Sequence, residues 1–234
     1  MRSNEDSIRR IVIAGLLLAI TLLLVFTRIG MIPVPTPAAN ATVAHIPAII
    51  GGILEGPIVG LLIGMGFGFA SFMNATIPMF KDPLVAILPR LMIGVVASWV
   101  FLLLRVATKR TLSIMVGILC VLMLAFSYQT YQTISWLGIV LAIVSMGATA
   151  WLYWWMRRTD VQIVGLSMAA AVGSLTNTVL VLSAAVWRDY IPFGAAWGIG
   201  LTHGIPEAVV SGIVTVAVVS ALRQIGEGRG GSQL

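Results

Sequence analysis

Of the 234 residues in the chain, 59% are hydrophobic and only 9% are charged, and the mean hydropathy is +1.04. Soluble domains carry roughly 25% charged residues, so this composition excludes a soluble globular protein and indicates a polytopic membrane protein. The formal charge of +6 does not indicate a nucleic-acid-binding protein. The basic residues lie between apolar runs, where they act as orientation signals for membrane insertion.

The apolar runs are long and continuous, which predicts an all-α integral membrane protein rather than a β-barrel. We predict eight membrane spans, at residues 11–26, 42–54, 57–75, 84–104, 112–127, 134–155, 161–187 and 195–222. The second run is too short to cross a bilayer alone at about 1.5 Å per residue. We assign residues 1–222 to a single transmembrane domain and predict that the glycine-rich tail, 223–234, is disordered.

The distribution of basic residues predicts the orientation of these spans. Eight spans place both termini on one side, where the termini and connecting loops carry ten Lys and Arg residues, against three in the opposite loops. The positive-inside rule therefore predicts that both termini are cytoplasmic. A cleaved signal peptide is the alternative for the first run, but that run is longer than a usual signal core. The single cysteine excludes a disulfide framework within the chain.

The stretch 41–77 has the most regular pattern in the chain. Its second half carries glycines at four-residue spacing, at Gly56, Gly60, Gly64 and Gly68. A row of glycines on one helix face allows two backbones to pack in contact. Before this stretch, the loop 29–41 contains alternate prolines, which remove backbone donors and disfavour a helix. Because the loop is mostly apolar, we expect it to fold over the protein as a cap.

Polar residues inside the predicted spans indicate a function, since inserting a charged side chain to membrane depth costs at least ~2.5 kcal/mol of free energy. Six of them, from five spans, lie at the midplane or in the outer half and are predicted to line a polar cavity open to the outside: His45, Asn74, Arg90, Asn177, His203 and Glu207. Each has a simpler explanation when taken alone. Asn177 could bond helix to helix, Arg90 could snorkel outward, and Glu207 could bond a carbonyl freed by Pro206.

The chain shows no means of coupling energy to transport. It contains no GxxxxGK[ST] phosphate-binding loop, and its two halves have no matching hydropathy of the kind found in transporters with internal repeats. A binding cavity without an energy source is typical of a subunit that binds a ligand and passes it to partners.

Four ordered stretches resemble a known family: TVAHIPAIIGGILEGPIVGLLIGMGFGFASF, LPRLMIGVVA, AAVGSLTNTVLVL and HGIPEAVVSGIV. They are similar to the substrate-binding S components of energy-coupling factor (ECF) vitamin transporters, in the branch that includes pantothenate and pyrimidine- or pyridine-vitamin proteins. The resemblance covers about 1–107 and 161–222. It implies a six-helix bundle, so residues 111–156 are predicted to be an inserted transmembrane hairpin.

The resemblance also implies a mechanism and partners. S components capture a vitamin from outside, dock on a transmembrane scaffold subunit with two cytoplasmic ATPases, and reorient to release their cargo. In the family the loop after the first helix acts as a gate, which here corresponds to 29–41. Docking uses small residues of the first helix, which correspond to Gly15 and Ala19. His203 departs from the small polar residue that the family pattern predicts before GIPE, which implies an altered ligand.

We therefore expect a non-enzymatic, high-affinity substrate-binding subunit in a bacterial cell membrane, without cofactor or metal. Arg90 suits a carboxylate and favours a pantothenate-like ligand. One alternative is an intramembrane metalloenzyme with His203, Glu207 and His45 as metal ligands. Another is a ligand-free structural scaffold, in which Asn177→Leu and Glu207→Gln would change stability but not uptake.

Overall fold

A computed structural model describes residues 2–33, 40–133 and 135–230 of the chain. Nearly all of these residues are helical. The α-helices are α1 Arg2–Phe26, α2 Ile46–Glu55, α3 Pro57–Met73, α4 Pro83–Ala86, α5 Leu88–Leu104, α6 Lys109–Thr133, α7 Ser135–Arg158, α8 Val161–Trp187, α9 Phe193–Ile199 and α10 Ile205–Gly230. Two short strands, β1 Met31–Pro33 and β2 Asn40–Thr42, pair antiparallel with Met31 opposite Thr42.

The all-α membrane class is confirmed. Among the described residues, six helical segments are long and apolar enough to cross a membrane: Ser7–Phe26, Pro83–Leu104, Lys109–Gln132, Gly138–Arg158, Val161–Trp187 and Phe193–Leu222. The shorter α2 and α3 are also apolar. The number of eight spans and the cytoplasmic side of the termini stay predictions.

The chain divides into two compact units. The first comprises Met1–Leu102 and Leu166–Leu234, and the second comprises Leu103–Gly165. In the second unit, α6 and α7 pack along each other. The predicted hairpin 111–156 lies within this unit, and its origin as an insertion into a six-helix fold stays a prediction.

Helix α2 is the centre of the first unit. Eight of its ten residues are buried, although it spans only about 15 Å at the usual helical rise. Ile49 of α2, Ile63 of α3 and Ile93 of α5 are each almost fully buried in one apolar cluster. Because other helices surround it, α2 does not need the length that a lipid-facing span requires.

The glycine row lets α3 lie directly against α5. A Cβ added to Gly60 would sit 2.7 Å from the carbonyl carbon of Gly94, and one added to Gly94 would sit 2.5 Å from the Gly60 Cα. A Cβ on Gly64 would collide with the carbonyl oxygen of Arg90. The row therefore sets the distance between α3 and the segment that carries Arg90. Gly56 has a different role, because it adopts φ +95 in the turn between α2 and α3.

Several predicted boundaries were wrong. The second helix begins at Ile46 rather than at 42, since Asn40–Thr42 pairs as strand β2. The rest of the predicted proline loop, 34–39, lies outside the described residues. Helix α10 continues through Gly230, and 231–234 lies outside the described residues, so the disorder of the tail 223–234 stays a prediction.

The last helical segment changes its winding where the polar residues occur. A π-helical turn, Gly200–Gly204, separates α9 from α10. Pro206 lacks a backbone N–H and its ring crowds the carbonyl four residues earlier, at Thr202, so the helix widens just before it. The widened turn carries His203 and is followed at once by Glu207. In contrast, α8 continues without a break through its polar cluster around Asn177.

Candidate functional site

Two adjoining cavities lie in the first unit. The larger has a volume of about 290 Å³ and is bordered by the strand pair, the end of α3 and the start of α5. The smaller, of about 50 Å³, lies toward α8, α9 and α10. They share four lining residues, namely Asn40, Thr42, Phe80 and Arg90. We treat them as one composite site.

Arg90 lies at the junction of the two cavities, and only 3% of it is exposed. It lies in the first turn of α5, and its Nη1 donates a hydrogen bond to the carbonyl of Val85 in α4. Its guanidinium lies 4.8 Å from the ring centre of Phe80 and 5.7 Å from that of Phe67. Aromatic faces attract a cation but do not neutralise it.

Arg90 has no ion-pair partner within the described part of the chain, and Glu207, which lines the same small cavity, attracts it from beyond ion-pair distance. The Nε atom of Arg90 is buried without a hydrogen-bond partner among the described residues. A buried cation without a direct ion-pair partner is costly, and such groups are typical of sites that receive an anion.

Glu207 lies in the first turn of α10 and lines the smaller cavity. Its Oε1 atom accepts a hydrogen bond from the backbone N–H of Thr42 at 2.5 Å. This bond joins the end of strand β2 to α10, across 165 residues of sequence. Glu207 thereby fixes the end of strand β2 at the border of the two cavities.

Asn177 and His203 are buried and line the same small cavity. The Oδ1 atom of Asn177 has no hydrogen-bond partner in the described structure. Because an unsatisfied buried acceptor is unfavourable, this atom suits a hydroxyl or amide donor of a ligand. His203 lies in the π-helical turn Gly200–Gly204.

The two remaining predicted residues lie in different places. Asn74 ends α3 and lines the larger cavity, and its Nδ2 donates a hydrogen bond to the carbonyl of Val25 at 3.0 Å. His45 is 0% exposed and lines neither cavity. Its Nε2 lies 2.8 Å from the Oγ of Ser211, so it links the start of α2 to α10. Five of the six predicted residues thus line the two cavities, and the sixth, His45, is buried outside them.

Sequence reasoning missed the aromatic residues around Arg90. Phe67 lies seven residues before Asn74, which is two helical turns along the same face of α3. That spacing could have identified Phe67. Phe80 lies in the short 3₁₀ turn Pro78–Lys81, where no periodicity predicts the direction of a side chain.

An ion pair outside the membrane-spanning segments holds the rim of the site. The Arg188 Nε donates to the Asp82 Oδ2 at 2.7 Å, while the Asp82 Oδ1 accepts from the N–H of Leu84 and caps α4. The pair joins the start of α4 to the end of α8. It borders an apolar cluster that packs these elements together: Met79, Val85, Val181, Leu182, Ala185, Ile191 and Ile199.

This ion pair predicts a pH-dependent contribution to stability. The hydrogen bond from Arg188 lowers the pKa of Asp82 below its ordinary value of 3.8. A depressed pKa means that the stabilisation is fully present above pH 3.8 and is lost as the pH falls through the lowered pKa. We expect Asp82→Asn to lower the unfolding midpoint of the detergent-solubilised protein at pH 7. The difference from wild type should disappear at the acid end of a pH series.

The neighbouring exposed Asp189 provides the control for this prediction. Its backbone has φ +58, a conformation that asparagine tolerates well. Asp189→Asn should leave the unfolding midpoint unchanged at pH 7. Equal losses in the two variants would show that the ion pair has no particular role.

The described residues offer no candidate metal centre, because no three His, Cys, Asp or Glu side chains among them come close enough to hold an ion. The metalloenzyme alternative therefore has no structural support. A family model described as "ECF transporter, substrate-specific component" matches residues 9–219. No curated protein matches the chain.

Proposed function

Because the chain belongs to the family of substrate-specific components of ECF transporters, we propose that the composite site binds a small vitamin or vitamin precursor that carries a carboxylate. Members of this family are substrate-binding subunits, not enzymes, and work with an ECF scaffold and ATPases. The protein is a multi-pass protein of the bacterial plasma membrane. That the ligand is a vitamin, and that the protein captures it from outside the cell, are proposed here.

The observation that carries this proposal is the buried guanidinium of Arg90, which has no ion-pair partner among the described residues. A ligand carboxylate placed in the cavity would form that ion pair and supply an acceptor for the unpartnered Nε. Carboxylates bind guanidinium groups through charge-assisted hydrogen bonds, often with two parallel contacts. Phe67 and Phe80 would exclude water from that contact and strengthen it.

The volume and polarity of the site support a small polar ligand. A cavity of about 290 Å³ is at the lower end of the usual range for ligand pockets, roughly 300–1,000 Å³. The Oδ1 of Asn177, which has no hydrogen-bond partner in the described structure, could accept a hydrogen bond from a donor at the other end of the ligand. Pantothenate combines a carboxylate with hydroxyl and amide groups, so it is our first candidate.

Calorimetry on the purified full-length protein, without ATP or partner subunits, tests the proposal. Pantothenate is titrated beside pantothenol, the matched alcohol that lacks the carboxylate, and beside a panel of other vitamins with and without a carboxylate. We expect a carboxylate-bearing ligand to bind at micromolar concentration or below, and its neutral counterpart to bind at least tenfold more weakly. Failure of every ligand to bind at micromolar concentration would contradict the proposed function.

We also propose that α1 docks on the scaffold subunit through Gly15 and Ala19. We further propose that both termini are cytoplasmic. Gly15 and Ala19 are both exposed, and a Cβ added to Gly15 meets nothing within 4 Å. Small residues four apart allow another helix to approach closely. The double variant Gly15→Leu, Ala19→Leu should reduce scaffold co-purification about tenfold, equivalent to ~1.4 kcal/mol. Its affinity for the ligand should not change.

The control for docking enlarges one glycine and one alanine on a different helix. Gly147 and Ala150 of α7 are both exposed, so Gly147→Leu with Ala150→Leu adds the same volume. This variant should retain the scaffold. Loss of the scaffold from both double variants would mean that added bulk alone prevents assembly, and would refute the assignment to α1.

A further inference from the structure

The second unit carries a concentrated positive charge that the proposed function does not use. Its five basic residues are all exposed, and we refer to them as the basic end: Arg105, Lys109, Arg110, Arg157 and Arg158. The intervening residues 111–156 contain no Asp, Glu, Lys or Arg. Asp160 is the one acidic residue in the sequence of this unit, and its Oδ1 accepts a hydrogen bond from the N–H of Gln162.

Contacts hold the basic end in a defined arrangement. Lys109, at the start of α6, donates from its Nζ to the carbonyl of Arg157, at the end of α7, at 3.2 Å. This bond shows that the two helix ends lie side by side. The guanidinium of Arg157 lies 5.6 Å from the ring centre of Tyr153, and that of Arg158 lies 4.4 Å from the ring centre of Trp154.

The position of the basic end relative to a membrane follows from its own helices. Both α6 and α7 are long and apolar enough to cross a bilayer, and their exposed faces carry large apolar side chains. Trp and Tyr side chains collect at the level of the lipid headgroups, and the charged residues follow them directly. The stacked guanidinium groups therefore lie at headgroup depth, where phosphate groups are abundant.

We propose that the basic end is a binding surface for the phosphodiester headgroups of anionic phospholipids. Orientation in the membrane requires only a surplus of Lys and Arg in a loop. It does not require that two arginines be stacked on aromatic rings and that a lysine be bonded across the hairpin. These contacts pre-organise the guanidinium groups, whose forked donors match two phosphate oxygens at once. Clusters of this size beside a membrane helix are attracted to anionic leaflets.

Native mass spectrometry of the delipidated full-length protein tests this proposal. The protein is titrated with phosphatidylglycerol and with phosphatidylcholine of the same acyl chains. We expect wild type to prefer phosphatidylglycerol at least tenfold, and the preference to shrink as ionic strength rises. The variant with Lys109, Arg110, Arg157 and Arg158 all changed to Gln should show a preference of no more than twofold.

Two further variants test whether the lipid preference depends on the basic end itself or on positive charge anywhere in the protein. Arg9→Gln with Lys81→Gln removes exposed cations from the first unit and should keep the preference. Arg157→Lys with Arg158→Lys keeps the charge but removes the forked donors, and should lower the preference about threefold. Each variant is first shown to have the thermal unfolding midpoint of wild type in detergent, which verifies folding without use of a transport ligand.

Three results would overturn the proposal. The first is an equal affinity of wild type for the two lipids. The second is an unchanged lipid preference in the four-site variant. If that variant, unlike the other variants, also lost a partner protein, the surface would be assigned to an acidic protein. The third is saturable binding of inorganic phosphate together with no preference between the lipids, which would assign the surface to a free anion.

Discussion

Replacing Arg90 with Gln is expected to weaken ligand binding by about 100-fold, equivalent to ~2.7 kcal/mol. The guanidinium is buried at the junction of both cavities, and the described residues give it no ion-pair partner. A ligand carboxylate would form a direct ion pair with the guanidinium, whereas Glu207 attracts it only from beyond ion-pair distance. Glutamine retains hydrogen-bonding capacity but has no charge, so a carboxylate would enter the cavity without compensation. Arg90→Lys keeps the charge without the planar fork and should lose about tenfold.

Arg28 is the matched control for this experiment. It borders the larger cavity but is exposed, so water already screens its charge. Arg28→Gln should change the dissociation constant by less than threefold. Calorimetry measures affinity, and a thermal unfolding curve of each variant verifies that it is folded. An Arg90→Gln protein that is folded and binds the ligand with unchanged affinity would refute the role of this residue. It would leave the family membership of the chain untouched.

The Gly60→Ala variant is expected to lower the free energy of unfolding by about 3 kcal/mol, at the upper end of the usual cost of overpacking. The new Cβ would meet backbone atoms of Gly94 at 2.7 and 2.8 Å and the Cα of Gly52 at 2.9 Å. Backbone atoms cannot rotate away as a flexible side chain can. Relief therefore requires α3 to move away from α2 and α5, which would separate the apolar side chains packed around this contact.

Gly147→Ala is the control, since Gly147 lies inside α7 and a Cβ added there meets nothing within 4 Å. Alanine favours a helix over glycine by roughly 0.5–1 kcal/mol, so this variant should be neutral or slightly more stable. Unfolding of each protein in detergent is followed by size-exclusion chromatography after heating. Equal midpoints for wild type and Gly60→Ala would show that the α3–α5 contact can relax at little cost, against the expected effect.

The six predicted polar residues show what depth in a membrane can and cannot predict. Counting residues along each span places a side chain along the helix axis, and five of the six do line the composite site. His45 does not, because depth says nothing about rotation around the axis, and its ring is directed toward Ser211. The contacts of Phe80 with Arg90 and of Asp82 with Arg188 depend on loops whose path no periodicity determines.

The composition and pattern of the sequence determined the membrane class, the positions of most helices and the close approach of α3 to its neighbours. These properties are local, because hydropathy and glycine spacing act within one helix. Only the tertiary structure decided which polar atoms lack partners, as at Arg90 and Asn177, and which are satisfied, as at Glu207. The Glu207 bond joins residues 165 positions apart, so its existence depends on how the helices pack, which no single stretch of the chain specifies.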